Sequence, residues 1–196
     1  MAQLVLASAS PRRRELLAQL GLRIAVRPVS VPEGARHGES AADYARRIAL
    51  EKARAGAAVS ADLPVLGADT DVVLDGEILG KPSSRRHGID MLLRLSGRTH
   101  QVYSAVAIVH EDRRAVRLSV TEVSFGTLSA GQAEAYWASG EPADKAGAYG
   151  IQGLGAAFVR EIHGSYSGVV GLPLYETCEL LREFGIDVFA LAPSQR

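Results

Sequence analysis

Short apolar runs alternate with helical stripes along this chain, and turn-forming residues separate them. Leu4, Val5 and Leu6 read as a buried strand. Ser8 and Ser10 follow, then Pro11 at a first helical position, then a helix with Leu16, Leu17 and Leu20 on one side and Gly21 just past its end. Arg23–Val29 is a second strand, and a Pro-, Glu- and Gly-rich loop (Pro32–Glu39) comes next. Ser40 caps a long helix from Ala41 to about Ala58, with Asp43 at its third position. Its stripe is Ala41, Tyr44, Ala45, Ile48, Ala49 and Ala55. Leu63–Ala68 is a short strand that runs out at Gly67-Ala68-Asp69-Thr70. Val72–Leu74 and Glu77–Leu79 flank Asp75-Gly76, a two-residue hairpin signal. A helix covers Ser84–Leu95 and stops at Gly97. Thr99–His110 and Ala115–Thr127 are long strands around a charged turn, and Ser129 caps a helix through Trp137. Gly147–Gly155 is a glycine-rich loop before a strand at Ala157–Ile162. A second loop, Gly164–Gly171, precedes a helix at Leu174–Phe184. The order predicts a mixed α/β fold with antiparallel pairs in the second half.

Composition adds one asymmetry to this picture. Lys and Arg total 22 and so do Asp and Glu, but residues 1–60 hold 10 basic against 5 acidic residues. A basic first third with an acidic remainder suits an anionic ligand bound with help from a carboxylate-held metal. It does not form the long basic stripe of a nucleic-acid surface. The single cysteine, Cys178, excludes an intrachain disulfide and reads as a buried helix residue. Neither a signal peptide nor an apolar span of about 20 residues is present, so a soluble cytoplasmic protein is expected.

The first helix carries the strongest chemical signal. Free N–H groups at its start favour an anion, and Arg12, Arg13 and Arg14 stand in its first turn. Each is unfavourable there by about 0.3–1 kcal/mol unless a counter-anion is present, and phosphate is the obvious one. Asp69, with Thr70 and Asp71 after it, follows a buried strand and is expected at the sheet's carboxyl edge, where α/β proteins place ligand chemistry. Asp71 interrupts an apolar run, as a second metal carboxylate or as a solvent-facing strand residue. Lys52 falls on the long helix's apolar stripe, so it either snorkels or enters a polar site to meet phosphate. Lys81, between Gly80 and Pro82, is aimed by its neighbours or is a surface lysine. Glu33 lies in the loop before the long helix and alone says nothing. Tyr149-Gly150-Ile151-Gln152-Gly153-Leu154-Gly155 permits close approach of the backbone, and Gln152 offers a donor and an acceptor to a base edge. His37, His87, His100, His110 and His163 show no metal-ligand spacing and read as mostly surface residues.

These segments together resemble the Maf family of nucleoside triphosphate pyrophosphatases. The matching residues are Ser8-Ala9-Ser10-Pro11-Arg12-Arg13, Glu51-Lys52, Gly67-Ala68-Asp69-Thr70, Leu79-Gly80-Lys81-Pro82 and Asp144 through Gly153, in order over nearly the whole chain. The resemblance implies a single domain over residues 1–196: an elongated α/β fold with a mixed sheet flanked by helices, two lobes and a central cleft, related to the house-cleaning inosine triphosphatases. It makes Asp69 the general base and, with Glu33, a metal carboxylate. Arg12, Thr70 and Gln152 take positions linked to substrate choice, and Ser8, Arg13, Lys52 and Lys81 positions that contact phosphate. Arg12 with Gln152 resembles the subfamily acting on dTTP and UTP. Asp71 departs from the family, which usually has an apolar residue there. The resemblance also suggests a homodimer.

The expected chemistry is therefore metal-dependent cleavage between the α and β phosphates of a pyrimidine triphosphate. Mg²⁺ or Mn²⁺ and a ring of Arg and Lys would stabilise the phosphate charge. A purine-directed enzyme of the 7-methyl-GTP type uses the same machinery, and a non-catalytic nucleotide-binding regulator of septum formation would not need the base. A structural domain without a ligand leaves the arginine cluster unexplained.

Overall fold

The apolar runs assemble into one seven-stranded mixed sheet in the computed structural model, which describes residues 1–60 and 62–190. Strands β1 (Leu4–Leu6), β2 (Ile24–Val26), β3 (Val65–Leu74), β5 (Thr99–His110), β6 (Arg113–Phe125) and β7 (Val159–His163) lie in the order β2-β1-β3-β5-β6-β7, and β4 (Glu77–Leu79) pairs with β3. β1 is parallel to both β2 and β3, and the remaining pairs are antiparallel. Helices α1 (Pro11–Gln19), α2 (Ala41–Ala57), α3 (Arg85–Leu95), α4 (Ala130–Ala138), α5 (Tyr166–Val170) and α6 (Leu174–Glu183) flank this sheet. None of the helices described is long and apolar enough to cross a membrane.

The caps follow the sequence. The Ser10, Ser40, Ser84 and Ser129 hydroxyls each accept the backbone N–H three residues on, and Ser129 with Gln132 completes a reciprocal capping box. Leu4, Leu6, Leu16, Leu17, Leu66 and Ile108 belong to one apolar cluster around the parallel strands. Val72, Leu79, Leu92, Phe125 and Tyr136 belong to another, which joins β3, β4, β6, α3 and α4.

Three expectations change. Leu63–Ala68 and Val72–Leu74 are one continuous strand, β3, so Asp69 is mid-strand and not at that strand's end. Polar residues there mimic a strand terminus because this stretch faces a cavity and not the core. The Gly164–Gly171 loop contains the short helix α5, started by Ser165, whose hydroxyl accepts from Gly168 N. His100 is buried, with 2% of its surface exposed: it lies on the inward side of β5 against Phe125 and Tyr149, and its Nε2 is 2.8 Å from the Tyr149 hydroxyl. Burial pulls its pKa down to about 4. Cys178, on α6, is half-buried.

Strand pairing creates the site. On one edge of β3, β1 pairs only as far as Leu66 and β4 pairs only from Val72 onward. Gly67 to Asp71 therefore have no strand neighbour on that side, while β5 pairs continuously along the other. Asp69 thus lies beyond the carboxyl end of β1, where the chain turns into α1.

Candidate active site

A cavity of about 860 Å³ opens at this gap. That is room for a drug-sized or nucleotide-sized ligand. It is lined by the β1–α1 turn, the middle of β3, Lys52 of α2, Lys81 after β4 and the glycine-rich segment around Gln152. All nine residues assigned above to catalysis, metal, phosphate or substrate choice line it: Ser8, Arg12, Arg13, Glu33, Lys52, Asp69, Thr70, Lys81 and Gln152. Arg14 does not line the cavity and is exposed, so the expected three-arginine cluster is a pair. One turn of helix turns successive side chains about 100° apart, so three consecutive arginines cannot share one direction.

The floor is a charge cluster on regular structure. α2 packs closely against β3: a Cβ at Gly67 would strike the Ala49 carbonyl and the Ala53 N–H of α2. This approach brings Lys52 inward, and its ammonium donates to Asp69 Oδ1 at 2.7 Å. The same nitrogen is 2.7 Å from Glu33 Oε1. Lys52 therefore enters a polar site and does not snorkel. Its exposed-loop partner is held from the same helix. The Tyr44 hydroxyl donates to the Glu33 carbonyl (2.9 Å), and Arg47 donates to the Gly34 carbonyl and to Glu39. Burial works to raise the Glu33 carboxyl, but the Lys52 hydrogen bond and charge outweigh it and hold the pKa below the usual range.

Asp71 stands two residues along β3 from Asp69 and shares its face. It is 7% exposed, as is Asp69, so the solvent-facing alternative is excluded. Burial first, and then the Asp69 charge, pushes its carboxyl up to about 8.

Thr70 points the other way. Its hydroxyl is 3.0 Å from Ser104 Oγ and donates to the Gly171 carbonyl. Arg13 joins this network, donating through Nε to the Gly171 carbonyl (2.9 Å), through Nη1 to Ser8 Oγ and through Nη2 to Thr70 Oγ1. Burial opposes its charge, and the charges of Asp69, Asp71 and Glu33 support it. Its guanidinium thus ties the β1–α1 turn to the α5–α6 junction. Lys81 is exposed at the mouth and close enough to Glu33 to help lower that carboxyl.

The rim is irregular backbone. Gln152 is exposed and follows two 3-10 turns, at Glu141–Asp144 and Ala146–Ala148. Sequence reasoning missed what shapes it. Glu141 accepts from the Tyr136 hydroxyl (2.6 Å) and from the Leu154 (2.8 Å) and Gly155 (3.1 Å) N–H groups. The Tyr136 hydroxyl in turn accepts from Gly150 N at 3.0 Å. Burial works to raise the Glu141 carboxyl, but these donors outweigh it and hold it low. A Cβ at Gly155 would meet the Gly150 carbonyl and the Tyr136 hydroxyl, so glycine is needed for this closeness. A run of free N–H groups in a glycine-rich loop calls for a nearby acceptor. Glu141, next to Pro142, was the available signal. Arg12 faces this rim through the Asp144 charge, and Asp144 pairs with Lys145.

A carboxylate on the floor can orient or deprotonate water, cations around it can neutralise phosphate oxygens, and the rim can present hydrogen-bonding groups to a flat polar ring. The family model for Maf-like proteins matches residues 3–184. A protein of Saccharophagus degradans named dTTP/UTP pyrophosphatase is 55% identical over 197 residues, covering 98% of this chain and 94% of that protein. Proteins of the same name from Escherichia coli O157:H7 and Salmonella typhimurium are 56% and 57% identical over 185 residues, each comparison covering 94% of both chains. Among solved structures, a HAM1 protein from Coxiella burnetii shares the fold at a TM-score of 0.52 and 19% identity, covering 93% of this chain and all of that one.

Proposed function

The chain belongs to the Maf-like protein family, and from that premise we propose that it is a nucleoside triphosphate pyrophosphatase that hydrolyses dTTP and UTP to the monophosphate and pyrophosphate. The observation that carries this reading is the Asp69–Lys52–Glu33 cluster on the floor of a cavity whose walls hold Ser8, Arg13 and Lys81. Asp69 accepts a proton from a water whose oxygen attacks the α phosphorus, and the α–β bridging P–O bond breaks as pyrophosphate leaves. Arg13, Lys52 and Lys81 bind and orient phosphate oxygens, with the Ser8 hydroxyl among them. Arg12, Thr70 and Gln152 govern the choice of base, Gln152 through the edge of a pyrimidine.

Asp69 and Glu33 suit a divalent cation, Mg²⁺ or Mn²⁺, because the Lys52 ammonium already sits between them at 2.7 Å from each. When bound, the ion supplies positive charge to the phosphate oxygens. A cytoplasmic, house-cleaning role and a homodimer belong to the same reading.

Pyrophosphate release from dTTP, UTP, CTP, GTP, 7-methyl-GTP and ITP with Mg²⁺ or Mn²⁺ tests it. Preference for dTTP and UTP is expected. Preference for a purine would keep the floor chemistry and overturn the assignment of Arg12 and Gln152. Binding of every nucleotide without turnover would make the protein a regulator.

A further inference from the structure

Asp71 is the residue on the cavity floor that the proposed reaction does not use. The residue is more than nine-tenths buried, it lines the cavity, and its Oδ2 has no hydrogen-bond partner. A buried carboxylate oxygen left without a donor costs about 1–3 kcal/mol or more, so a fold retains one where something else meets it. The neighbouring charges do not. The Lys52 ammonium is already taken by Glu33 and Asp69, at 2.7 Å from each, and forms no ion pair with Asp71. The Arg13 guanidinium donates to neutral oxygens, those of Gly171, Ser8 and Thr70. The floor therefore holds a carboxyl group that its own cations do not satisfy, and the unsatisfied oxygen is on Asp71. Packing does not call for it either: Val72, Val73 and Leu74 continue the strand as buried apolar residues.

Resting on the reading that a divalent cation serves this site, we propose that Asp71 is a further carboxylate ligand of that cation, beside Asp69 on the same face of β3. Among the described residues no three His, Cys, Asp or Glu side chains are already gathered as a metal cage. Mg²⁺ and Mn²⁺ do not need one, since carboxylates, water and substrate phosphates complete their shell. Two carboxylates from one strand give the cation an anchor that does not depend on the half-exposed Glu33, so it binds before the nucleotide arrives.

The test is Mn²⁺ binding to the full chain without nucleotide, followed by the loss of the free-ion electron paramagnetic resonance signal. Wild type is compared with Asp71→Asn, Asp71→Val and Asp69→Asn. Both Asp71 substitutions are expected to raise the Kd for Mn²⁺ roughly tenfold or more. Their metal-free melting temperatures should equal or exceed that of wild type, because an unpaired buried carboxylate is gone. The valine variant keeps the test sound if the asparagine amide is poorly accommodated, since Val suits a buried strand position. Wild-type affinity in both Asp71 variants, with affinity lost in Asp69→Asn, would overturn the role of Asp71 and leave the Asp69 site standing. No Mn²⁺ binding by wild type, alone or with a non-hydrolysable dTTP analogue, would overturn the cation reading and this inference together.

Discussion

On the floor of the cleft, Asp69 and Lys52 stand on a strand of 10 residues and a helix of 17, whereas Gln152 at the rim stands on irregular backbone next to 3-10 turns. The floor is aimed by repetitive hydrogen bonding and by the contact of α2 with Gly67. The rim is aimed by a single half-buried acceptor, Glu141, that gathers three donors. Phosphate is common to every triphosphate and needs the same cations each time, so a rigid floor serves all of them. In the proposed function, base choice falls to a surface that can differ between related proteins without disturbing that floor, and a loop hung from one side chain suits that task.

Substitutions can pull the two regions apart. Lys52→Met should have the largest effect, because it leaves Asp69 and Glu33 facing each other without the shared ammonium and removes the proposed phosphate contact. We expect kcat/KM to fall roughly 100- to 1000-fold for every triphosphate alike, read by pyrophosphate release. An effect confined to one base would contradict the separation. Glu141→Gln should act in the opposite sense. Its single amide oxygen cannot serve three donors, and its NH₂ would face an N–H or the Tyr136 hydroxyl. A stability loss of about 1–3 kcal/mol is expected in denaturant melts. Its kinetic cost should fall on KM and on discrimination between dTTP and its competitors, with kcat at saturation nearly kept.

Acidification reaches the support of the rim through His100. His100 supports Tyr149 and titrates at about 4 when folded against an ordinary value of 6.5. The folded state therefore binds fewer protons between those values. Its contribution is complete above about pH 6.5 and is lost as pH falls toward 4, by at most about 3 kcal/mol. Melts at pH 7 and pH 5 should show His100→Gln losing less stability on acidification than wild type. The smallest effect belongs to Arg14→Ala. Arg14 is exposed and outside the cavity, so kcat/KM should stay within about twofold of wild type. A large loss would restore the three-arginine cluster.

How far each region could be read from the sequence follows the same division. Ser10-Pro11, Ser40 and Ser129 marked their helices because a cap is a local device. Lys52 falls on the apolar stripe of α2 by periodicity, but only the packing of α2 on β3 decides that it enters a polar site and does not snorkel. Asp69 is expected at the end of its own strand, but β3 does not end there, and the carboxyl edge that matters is that of β1, which ends at Leu6 far earlier in the chain. No local pattern reveals that, along β3, pairing with β1 ends at Leu66 and pairing with β4 starts only at Val72. His100 was misjudged because its burial depends on Phe125 and Tyr149, distant in sequence. Glu141 stayed hidden because its donors lie 13 and 14 residues away in a loop with no period.

The most direct measurement is Asp69→Asn, with dTTP binding and pyrophosphate release followed on the same preparation. Asparagine keeps the shape and removes the base, so binding within a few-fold of wild type and turnover lower by about 100- to 10,000-fold are expected. Full turnover in this variant would contradict the account, because the floor of the cleft would then have no assigned base.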